Sequence, residues 1–366
     1  MKVSGEGELA GLVADARGPL SLRGGGTRGV SGAGDPVDLS GLSGVTLYEP
    51  GALTLVARAG TTLAEVGRHL AGEGQRLAFE PPDWRGLLGS EGEPTIGGVI
   101  AANLSGPRRV QAGAARDALL GVRFVDGTGT VIRNGGRVMK NVTGYDLVKL
   151  LAGSWGTLGI LTEVALKVLP LPEAAATLVL PPLSPDRAVA AMSAALASPF
   201  EVSGAARLPN GRVLLRLEGF AGSVAYRAGR LGDLLRPFGA ADRVEGAASA
   251  DLWQSVRDVL PFHGRAGDVW RFSIVASEAP GVAARLGGEV LMDWGGGLLW
   301  ALVPEGTEAR ALAAPYRGHA MLVRAGAATR AHLPRFQPEV PAIAALSVAL
   351  RARLDPRGIL NPQLMG

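Results

Sequence analysis

Three glycine-rich clusters constrain this chain more than any other feature of its sequence. They are Arg23-Gly24-Gly25-Gly26-Thr27, Thr95-Ile96-Gly97-Gly98 and residues 153–160. Glycine lets the backbone approach a ligand closely, and successive backbone N–H groups can then converge on one anion. One such cluster alone is most simply a turn. Three separate clusters indicate a single extended ligand that is lined by backbone.

The first cluster formally matches the dinucleotide-binding pattern GxGxxG through Gly24, Gly26 and Gly29. That pattern requires a helix that opens at the loop, because the pyrophosphate lies on the N-terminus of the helix. Residues 30–36 read Val-Ser-Gly-Ala-Gly-Asp-Pro, which is not a helix start. We therefore reject a Rossmann unit, and Arg23 and Thr27 remain available as donors to a phosphate.

Composition limits the chemistry that this chain can perform. The 366 residues suggest about two domains. No cysteine is present, so the chain cannot form disulfides, thiolate metal sites, iron–sulfur clusters or a cysteinyl link to a cofactor. Its four histidines, at positions 69, 263, 319 and 332, form no local metal-binding pair, and we predict no metal site.

Charge and hydropathy indicate where the protein works. The net charge of +4 comes from basic residues scattered along the chain, whereas nucleic-acid binders concentrate them on one stripe. No uncharged apolar run reaches about 18 residues, and the N-terminus lacks the apolar stretch of a signal peptide. We expect a cytoplasmic protein that binds no nucleic acid and has no transmembrane segment.

The sequence predicts two domains, 1–172 and 173–366, and the alternation of strands and helices makes the second an α+β domain. Five prolines between positions 170 and 185 mark the boundary. Thr62 and Glu65 have the spacing of a capping box at the start of a helix. Predicted strands lie at 19–22, 45–48, 54–59, 119–125, 130–133, 158–169, 177–180, 213–218 and 269–275. Predicted helices lie at 6–17, 61–71, 145–151, 185–197 and 224–235.

Residues 20–170 resemble the FAD-binding domain of the vanillyl-alcohol oxidase and p-cresol methylhydroxylase type. The order and spacing of the three glycine clusters carry this resemblance, together with Arg116-Asp117, Lys140-Asn141 and Gly144-Tyr145-Asp146. More narrowly, the chain is similar to FAD-binding subunits of glycolate dehydrogenase (glycolate oxidase). The matching segments are residues 104–109, 138–147, 260–262, 270–273, 293–296 and 354–362. The resemblance implies a ferredoxin-like α+β cap domain, with a C-terminal segment that packs back on the FAD-binding domain.

The same resemblance implies which residues bind FAD. The first cluster would hold the pyrophosphate, the second would pass the flavin–ribityl region, and the third would meet the adenine–ribose end. The implied residues are Arg23, Gly24, Gly25, Gly26, Thr27, Thr95, Gly97, Gly98, Ala101, Asn103, Ser105, Gly106, Gly159 and Ile160. Some relatives attach FAD through a histidine in the first loop or a cysteine in the second. Here Thr27 ends the first loop and cysteine is absent, so non-covalent FAD is implied.

No catalytic residue can be assigned from the sequence. Many relatives that oxidise 2-hydroxy acids carry a histidine-rich metal motif in the second domain, and this chain lacks one. The candidate cations for a substrate carboxylate are Arg108, Arg109, Lys140 and Arg271, although each of them taken singly is more simply a surface or structural ion pair. The Arg108-Arg109 doublet is favoured because it directly follows a flavin-facing loop, where a cation could stabilise an anionic reduced flavin.

His263 is more simply explained as the end of a helix. Two positions depart from the expected pattern, and we expect neither of them to touch the FAD loops. Leu299 stands where an arginine is expected before Trp300, and Gln363-Leu364 stands where Gly-Arg is expected.

Three functions remain open at this point. The leading interpretation is an FAD-binding subunit of a multi-subunit glycolate (2-hydroxy acid) dehydrogenase. Its partners would be a homologous catalytic flavoprotein subunit and an iron–sulfur subunit that relays electrons to a membrane acceptor. One alternative is a self-sufficient FAD-dependent 2-hydroxy-acid dehydrogenase, against which the missing metal motif argues. The other is a non-catalytic assembly subunit that retains its flavin.

Overall fold

A computed structural model describes residues 1–30, 32–137 and 144–365. Residues 138–143, which carry part of one resemblance motif and the candidate cation Lys140, lie outside the described residues. In the first domain the strands are β1 (Leu20–Arg23), β2 (Asp35–Asp38), β3 (Val45–Glu49), β4 (Thr54–Arg58), β5 (Gln75–Leu77), β6 (Leu119–Val125), β7 (Val131–Gly135) and β8 (Ile160–Pro170). Its helices are α1 (Glu6–Asp15), α2 (Leu63–Gly72), α3 (Arg85–Leu88), α4 (Ile96–Ala101), α5 (Arg109–Ala112) and α6 (Leu147–Leu151).

The first domain is built around one long strand. β8 pairs antiparallel with β4 on one side and β6 on the other, and β5 pairs with its C-terminal end. The full sheet order is β3-β4-β8-β6-β7. A separate parallel pair, β1 and β2, carries the first glycine cluster directly after β1, and no helix opens there. This confirms the rejection of a Rossmann unit.

The second domain is one eight-stranded antiparallel sheet. Its strands are β9 (Ala174–Leu180), β10 (Gly204–Arg207), β11 (Val213–Gly219), β12 (Asp242–Glu245), β13 (Asp268–Ile274), β14 (Glu289–Asp293), β15 (Leu298–Val303) and β16 (Gly318–Arg324). Its helices are α7 (Pro185–Leu196), α8 (Ala221–Leu235), α9 (Gly246–Asp258), α10 (Ala279–Leu286) and α11 (Ala309–Ala313). Helices α12 (Ala327–His332) and α13 (Pro341–Leu354) follow the sheet.

The strand order β12-β9-β11-β10-β14-β15-β13-β16 contains two ferredoxin-like units side by side. In each unit the chain follows the pattern βαββαβ, and β10 pairs with β14 to join the two. The predicted ferredoxin-like cap is therefore present twice.

The two domains share one hydrophobic core. Phe79, Trp84 and Phe124 from the first domain belong to the same buried cluster as Trp300 and Val323 from the cap sheet. The opposite face of the cap sheet packs on α7, α8, α10 and α11 in a second cluster. A third, smaller cluster joins the N-terminal segment to the C-terminal Ile359 and Leu360.

A buried network of ion pairs also joins the two domains. The guanidinium of Arg108 donates to both carboxylate oxygens of Glu218 on β11, at 2.9 and 2.8 Å. Arg216 donates to both oxygens of Glu80, at 2.8 and 2.9 Å, and Arg76 donates to Glu218 at 2.7 Å. Burial opposes ionisation of Glu80 and Glu218, but the surrounding arginines outweigh it and lower the pKa of both carboxyl groups.

Most predicted elements are confirmed within a few residues of their ends. The Thr62 side chain caps α2 by accepting a hydrogen bond from the Glu65 N–H at 3.1 Å, as the capping-box spacing predicts. The second glycine cluster departs from the predicted elements: no helix was assigned there, yet residues 96–101 form α4. The side chain of Thr95 caps this short helix by accepting from the Gly98 N–H. Within the described residues no helix is both long and apolar enough to cross a bilayer.

The ion network predicts a large destabilisation by Glu218→Gln. The substitution takes one of two carboxylates from each of the buried Arg108 and Arg216, and it removes the carboxylate that pairs with the half-buried Arg76. Breaking a buried pair typically costs about 3–5 kcal/mol. Urea unfolding at pH 7 measures this loss. The contribution of Glu218 is present above the ordinary carboxyl pKa of 4.5 and is lost as the pH falls below it, so the difference between variant and wild type narrows in acid.

The matched control is Glu278→Gln, which removes a partly exposed carboxylate that pairs with the exposed Arg317. We expect it to leave the free energy of unfolding nearly unchanged. Equal losses of unfolding free energy in the two variants would contradict the conclusion that the ion network holds the two domains together.

Candidate FAD site

The three glycine clusters line one cleft, here called the glycine cleft. It encloses about 840 Å³ of empty space, solvent at its mouth included, which is within the usual range for a large ligand. The predicted residues in its lining are Arg23, Gly24, Gly25, Gly26, Thr27, Thr95, Gly97, Gly98, Ala101, Gly159 and Ile160. Clusters that are far apart in sequence thus meet at a single site.

Glycine is required where the first two clusters touch. A Cβ atom on Gly25 would lie 1.6 Å from the backbone oxygen of Glu93, and one on Gly24 would lie 2.6 Å from Oγ1 of Thr95. A Cβ on Gly97 would lie 2.5 Å from that of Ala59. These glycines therefore let backbone pack on backbone, rather than only leaving room for a ligand as the sequence suggested. At Gly98 only Thr95 Oγ1 lies within 4 Å of an added Cβ, so this position borders open space in the cleft.

The third cluster reaches the cleft through its contact with the C-terminal segment. The side-chain oxygen of Asn361 accepts a hydrogen bond from the Leu22 N–H at 2.7 Å, and its Nδ2 donates to the Trp155 carbonyl at 2.9 Å. Gly159 packs directly on Phe124, whose Cδ2 would lie 2.6 Å from an added Cβ. Asn361 therefore holds β1 and the third cluster at a fixed separation across the cleft.

Three predicted FAD ligands lie outside the lining of the cleft. The side-chain oxygen of Asn103 accepts from the Arg116 N–H at 3.0 Å, and Oγ of Ser105 accepts from the Ala115 N–H at 2.8 Å. The Gly106 carbonyl accepts from Nε1 of Trp294 at 3.0 Å. These residues order the segment that leads from α4 toward the cap, and their side chains and backbone are already engaged within the protein.

Sequence reasoning missed several residues of the cleft, among them Arg28, Ala59 and Leu364. The expectation that Gln363-Leu364 does not touch the FAD loops is wrong in part, because Leu364 lines the same cleft. Leu299, the other departure, is buried in the core between the cap sheet and its helices. Arg28 directly follows the first cluster in the sequence, and this position could have identified it as a residue of the cleft.

Arg28 is a buried cation in the wall of the cleft. Its Nη1 donates to the Pro82 carbonyl at 3.0 Å, and its guanidinium lies 5.4 Å from the ring centroid of Trp84. Burial lowers the pKa of Arg28 to about 10, and Asp83 and Asp258 partly offset this effect. Its Nη2 atom is buried without a hydrogen-bond partner among the described residues.

Two of the remaining candidates, Arg108 and His263, already have partners within the protein. Arg108 is fully engaged by Glu80 and Glu218, so its charge is neutralised within the protein. His263 ends a short 3₁₀ helix and contacts the Asp258 carbonyl at 2.8 Å, as the simpler interpretation predicted. Across the described residues, no three His, Asp or Glu side chains are grouped so that they could hold a metal ion.

Comparison with known proteins identifies the group to which these features belong. A family model described as an FAD binding domain matches residues 3–135. The glycolate oxidase subunit GlcE of Escherichia coli (strain K12) is 36% identical over 356 residues, which cover 95% of this chain and 92% of the relative. The chain belongs to the GlcE family. FAD is its cofactor, and the glycine-lined cleft fits a cofactor that is bound mainly by backbone groups.

Two further similarities define the fold and its relatives. The glycolate oxidase subunit GlcD of Bacillus subtilis (strain 168) is 40% identical over 126 residues, which cover 34% of this chain and 25% of that protein. The solved structure of a chitooligosaccharide oxidase superposes with a TM-score of 0.70 at 14% identity, and the match covers 100% of this chain and 90% of that one. The fold is thus the p-cresol methylhydroxylase type of FAD-binding domain with an α+β cap.

The backbone contact at Gly25 yields a direct test of the site. Gly25→Ala places a methyl group against the Glu93 carbonyl, so the two loops must separate and we expect the purified variant to lose most of its FAD. The absorbance ratio of flavin to protein measures occupancy, and far-UV circular dichroism reports whether the chain is folded. The control is Gly29→Ala in the same loop, where an added Cβ has its nearest neighbour at 3.4 Å, so that only the positive φ of 60° disfavours alanine. Full flavin occupancy in folded Gly25→Ala would show that the cleft is not the FAD site.

Proposed function

We propose that this chain is the FAD-binding subunit of a multi-subunit glycolate dehydrogenase, which oxidises a small 2-hydroxy acid and passes the electrons to partner subunits. The observation that supports it most strongly is the single cleft lined by all three glycine clusters, in a chain similar end to end to a glycolate oxidase subunit. The second glycolate oxidase subunit among its relatives, GlcD, is the model for the homologous catalytic flavoprotein partner.

The residues of the cleft have distinct parts in this proposal. Bound FAD supplies the two-electron oxidation chemistry. The backbone N–H groups of residues 24–27 bind the pyrophosphate, and the buried Thr27 hydroxyl adds a donor. Gly97 and Gly98 let the flavin–ribityl region lie close to α4, and Gly159 with Ile160 contacts the adenine–ribose end. Asn103, Ser105 and Gly106 support this arrangement indirectly, through the segment that they order.

The electrons must leave through other subunits. With no cysteine, this chain cannot ligate an iron–sulfur centre. We therefore propose an iron–sulfur subunit as the electron-accepting partner, with a membrane acceptor beyond it. Membrane association of this chain would then come from the complex.

We expect FAD to be held without a covalent bond. Thr27 occupies the end of the first loop, where some relatives have a linking histidine, and cysteine is absent from the chain. Trichloroacetic acid should denature the protein and release the flavin, so the yellow colour goes to the supernatant. Flavin fluorescence that stays with the washed pellet would contradict this prediction.

The isolated chain should oxidise glycolate and D-lactate at least about 100-fold more slowly than the assembled complex. The reason is the missing histidine-rich motif, since acid–base assistance is typically worth 10²–10⁴ in rate. Anaerobic mixing with excess acid, followed at the flavin absorbance band, measures reduction directly. The control is the complex reconstituted with its flavoprotein and iron–sulfur partners. Rapid bleaching of the isolated chain would instead support a self-sufficient dehydrogenase.

A further inference from the structure

Two arginines at the boundary between the domains share one tryptophan ring. The guanidinium carbon of Arg109, on α5, lies 4.3 Å from the ring centroid of Trp294, and that of Arg271, on β13, lies 5.2 Å from it. The indole is itself fixed, because its Nε1 donates to the Gly106 carbonyl and its backbone N–H donates to Asp293. We call Arg109 and Arg271 the arginine pair.

The arginine pair lacks the partners that the other interdomain arginines have. Among the described residues, neither guanidinium makes a hydrogen bond or an ion pair to a protein group; their contacts are with aromatic rings. Arg108 adjoins Arg109 in the chain, and Arg216 lies on β11 of the sheet that carries Arg271. Each of these two arginines is bound by two carboxylates. The protein therefore neutralises one set of interdomain arginines and leaves this pair unneutralised.

The surroundings add little negative charge to the arginine pair. Burial and, after it, the charge of Arg109 lower the pKa of Arg271 to about 10, and Asp293 only partly compensates. Burial also raises the pKa of Asp293 itself to about 7, so this carboxyl is not a full counter-charge at neutral pH. The acid that acts on Arg109 is Asp117, one of whose oxygens accepts from the Ala114 N–H.

Two more titratable groups, Arg116 and His319, lie near the arginine pair. Arg116 adds a further positive charge beside Arg109. His319, on the neighbouring strand β16, has its pKa lowered by burial and then by Arg271 and Arg109, so it is neutral at pH 7. The site as a whole therefore carries excess positive charge, which an anion would stabilise.

The arginine pair is reachable and lies on the side of the cap that faces the FAD-binding domain. Arg109, Arg271 and Trp294 are each only half-buried. Along β13, Trp270 and Phe272 point into the core with the cap helices, so Arg271 points to the opposite face.

A series of ring contacts connects the arginine pair with the wall of the glycine cleft. The guanidinium of Arg271 lies 5.9 Å from the ring centroid of Trp300. Trp300 packs edge-on against Trp84 with centroids 5.6 Å apart, and Arg28 of the cleft wall lies over Trp84. The pair and the cleft are thus parts of one interdomain region.

We propose that the arginine pair binds the carboxylate of a small organic acid, which would be the 2-hydroxy acid or its 2-oxo product. The proposal rests on the proposed function for the identity of the acid, and on the unpaired guanidinium groups for the site itself. Each guanidinium offers parallel N–H donors that match a carboxylate, and the indole ring beside both groups keeps water away from part of their surface. The same chemistry would accept inorganic phosphate, which the experiment below separates from a carboxylate.

The test is equilibrium binding to the FAD-loaded protein. Oxalate is the probe because it carries the carboxylate and an adjacent oxygen and cannot be oxidised by hydride loss. Isothermal titration calorimetry and the shift of the flavin absorbance band are recorded with oxalate and, separately, with phosphate. We expect oxalate to bind, phosphate to bind at least tenfold more weakly, and Arg271→Leu or Arg109→Gln to raise the Kd for oxalate by about 10–100-fold.

A control variant and a stability measurement separate binding from folding. Arg265→Gln removes an exposed cap arginine that pairs with Glu289, and we expect its Kd for oxalate to equal that of the wild type. Because the two charges repel each other, Arg109→Gln should leave the thermal midpoint of the ligand-free protein unchanged or higher while it weakens binding. A purely structural arginine would show the opposite, a lower midpoint.

The outcomes distinguish this inference from the proposed function. Flavin-loaded protein that binds no oxalate, or variants that bind it with the wild-type Kd, would overturn the carboxylate site and leave the FAD-binding subunit intact. Equal affinity for phosphate would overturn the carboxylate assignment alone. Protein that purifies without flavin would instead contradict the proposed function. Calorimetry with oxalate would still test whether the arginine pair binds a carboxylate.

Discussion

The closest backbone contact around the glycine cleft is the one on which the site depends. A Cβ atom on Gly25 would lie 1.6 Å from the Glu93 carbonyl, and one on Gly92 would lie 2.2 Å from the Gly25 carbonyl. Neither clash can be relieved by turning a side chain, because the obstructing atoms belong to the backbone. The two loops therefore close on each other only with glycine on both sides. Their closure places the N–H groups of the first loop opposite α4, and this arrangement creates the cleft.

The position of the cap is fixed by two independent means, the shared hydrophobic core and the buried ion network. Hydrophobic contact alone is non-directional and would tolerate some sliding of the cap sheet. The paired hydrogen bonds of Arg108 with Glu218 and of Arg216 with Glu80 are directional, and they define one orientation. A site that takes Arg109 from one domain and Arg271 from the other requires this fixed orientation.

Many local elements were predictable from the sequence, although none after residue 275 was predicted, and their assembly was not predictable. Strand β6 matches its predicted range, and Thr62 caps α2 as its spacing indicates. Helix α4 was missed because Gly97 and Gly98 have poor helix propensity. The Thr95 cap and the burial of Ile96, Val99 and Ile100 compensate for it, and these are tertiary effects.

The same distinction holds at the site. The glycine clusters predicted most of the cleft lining, since their function is carried by the backbone and is visible in the residue type itself. Whether an arginine is paired depends on residues more than 100 positions away, as Arg108 and Glu218 show. The doublet Arg108-Arg109 looked like one feature in the sequence, and the structure separates its two members completely.

The contrast between Arg108 and Arg109 indicates more about function than the fold does. Arg108 is buried and bound by two carboxylates, so it stabilises the interface only as long as those partners remain. Its neighbour Arg109 faces Trp294 and a second arginine, an arrangement that adds charge repulsion and includes no bonded carboxylate among the described residues. Acidic partners are available in this interface, since Glu80 and Glu218 serve three other arginines there. An unneutralised pair beside such a network is thus better explained by an anion that binds and leaves than by a requirement of the fold.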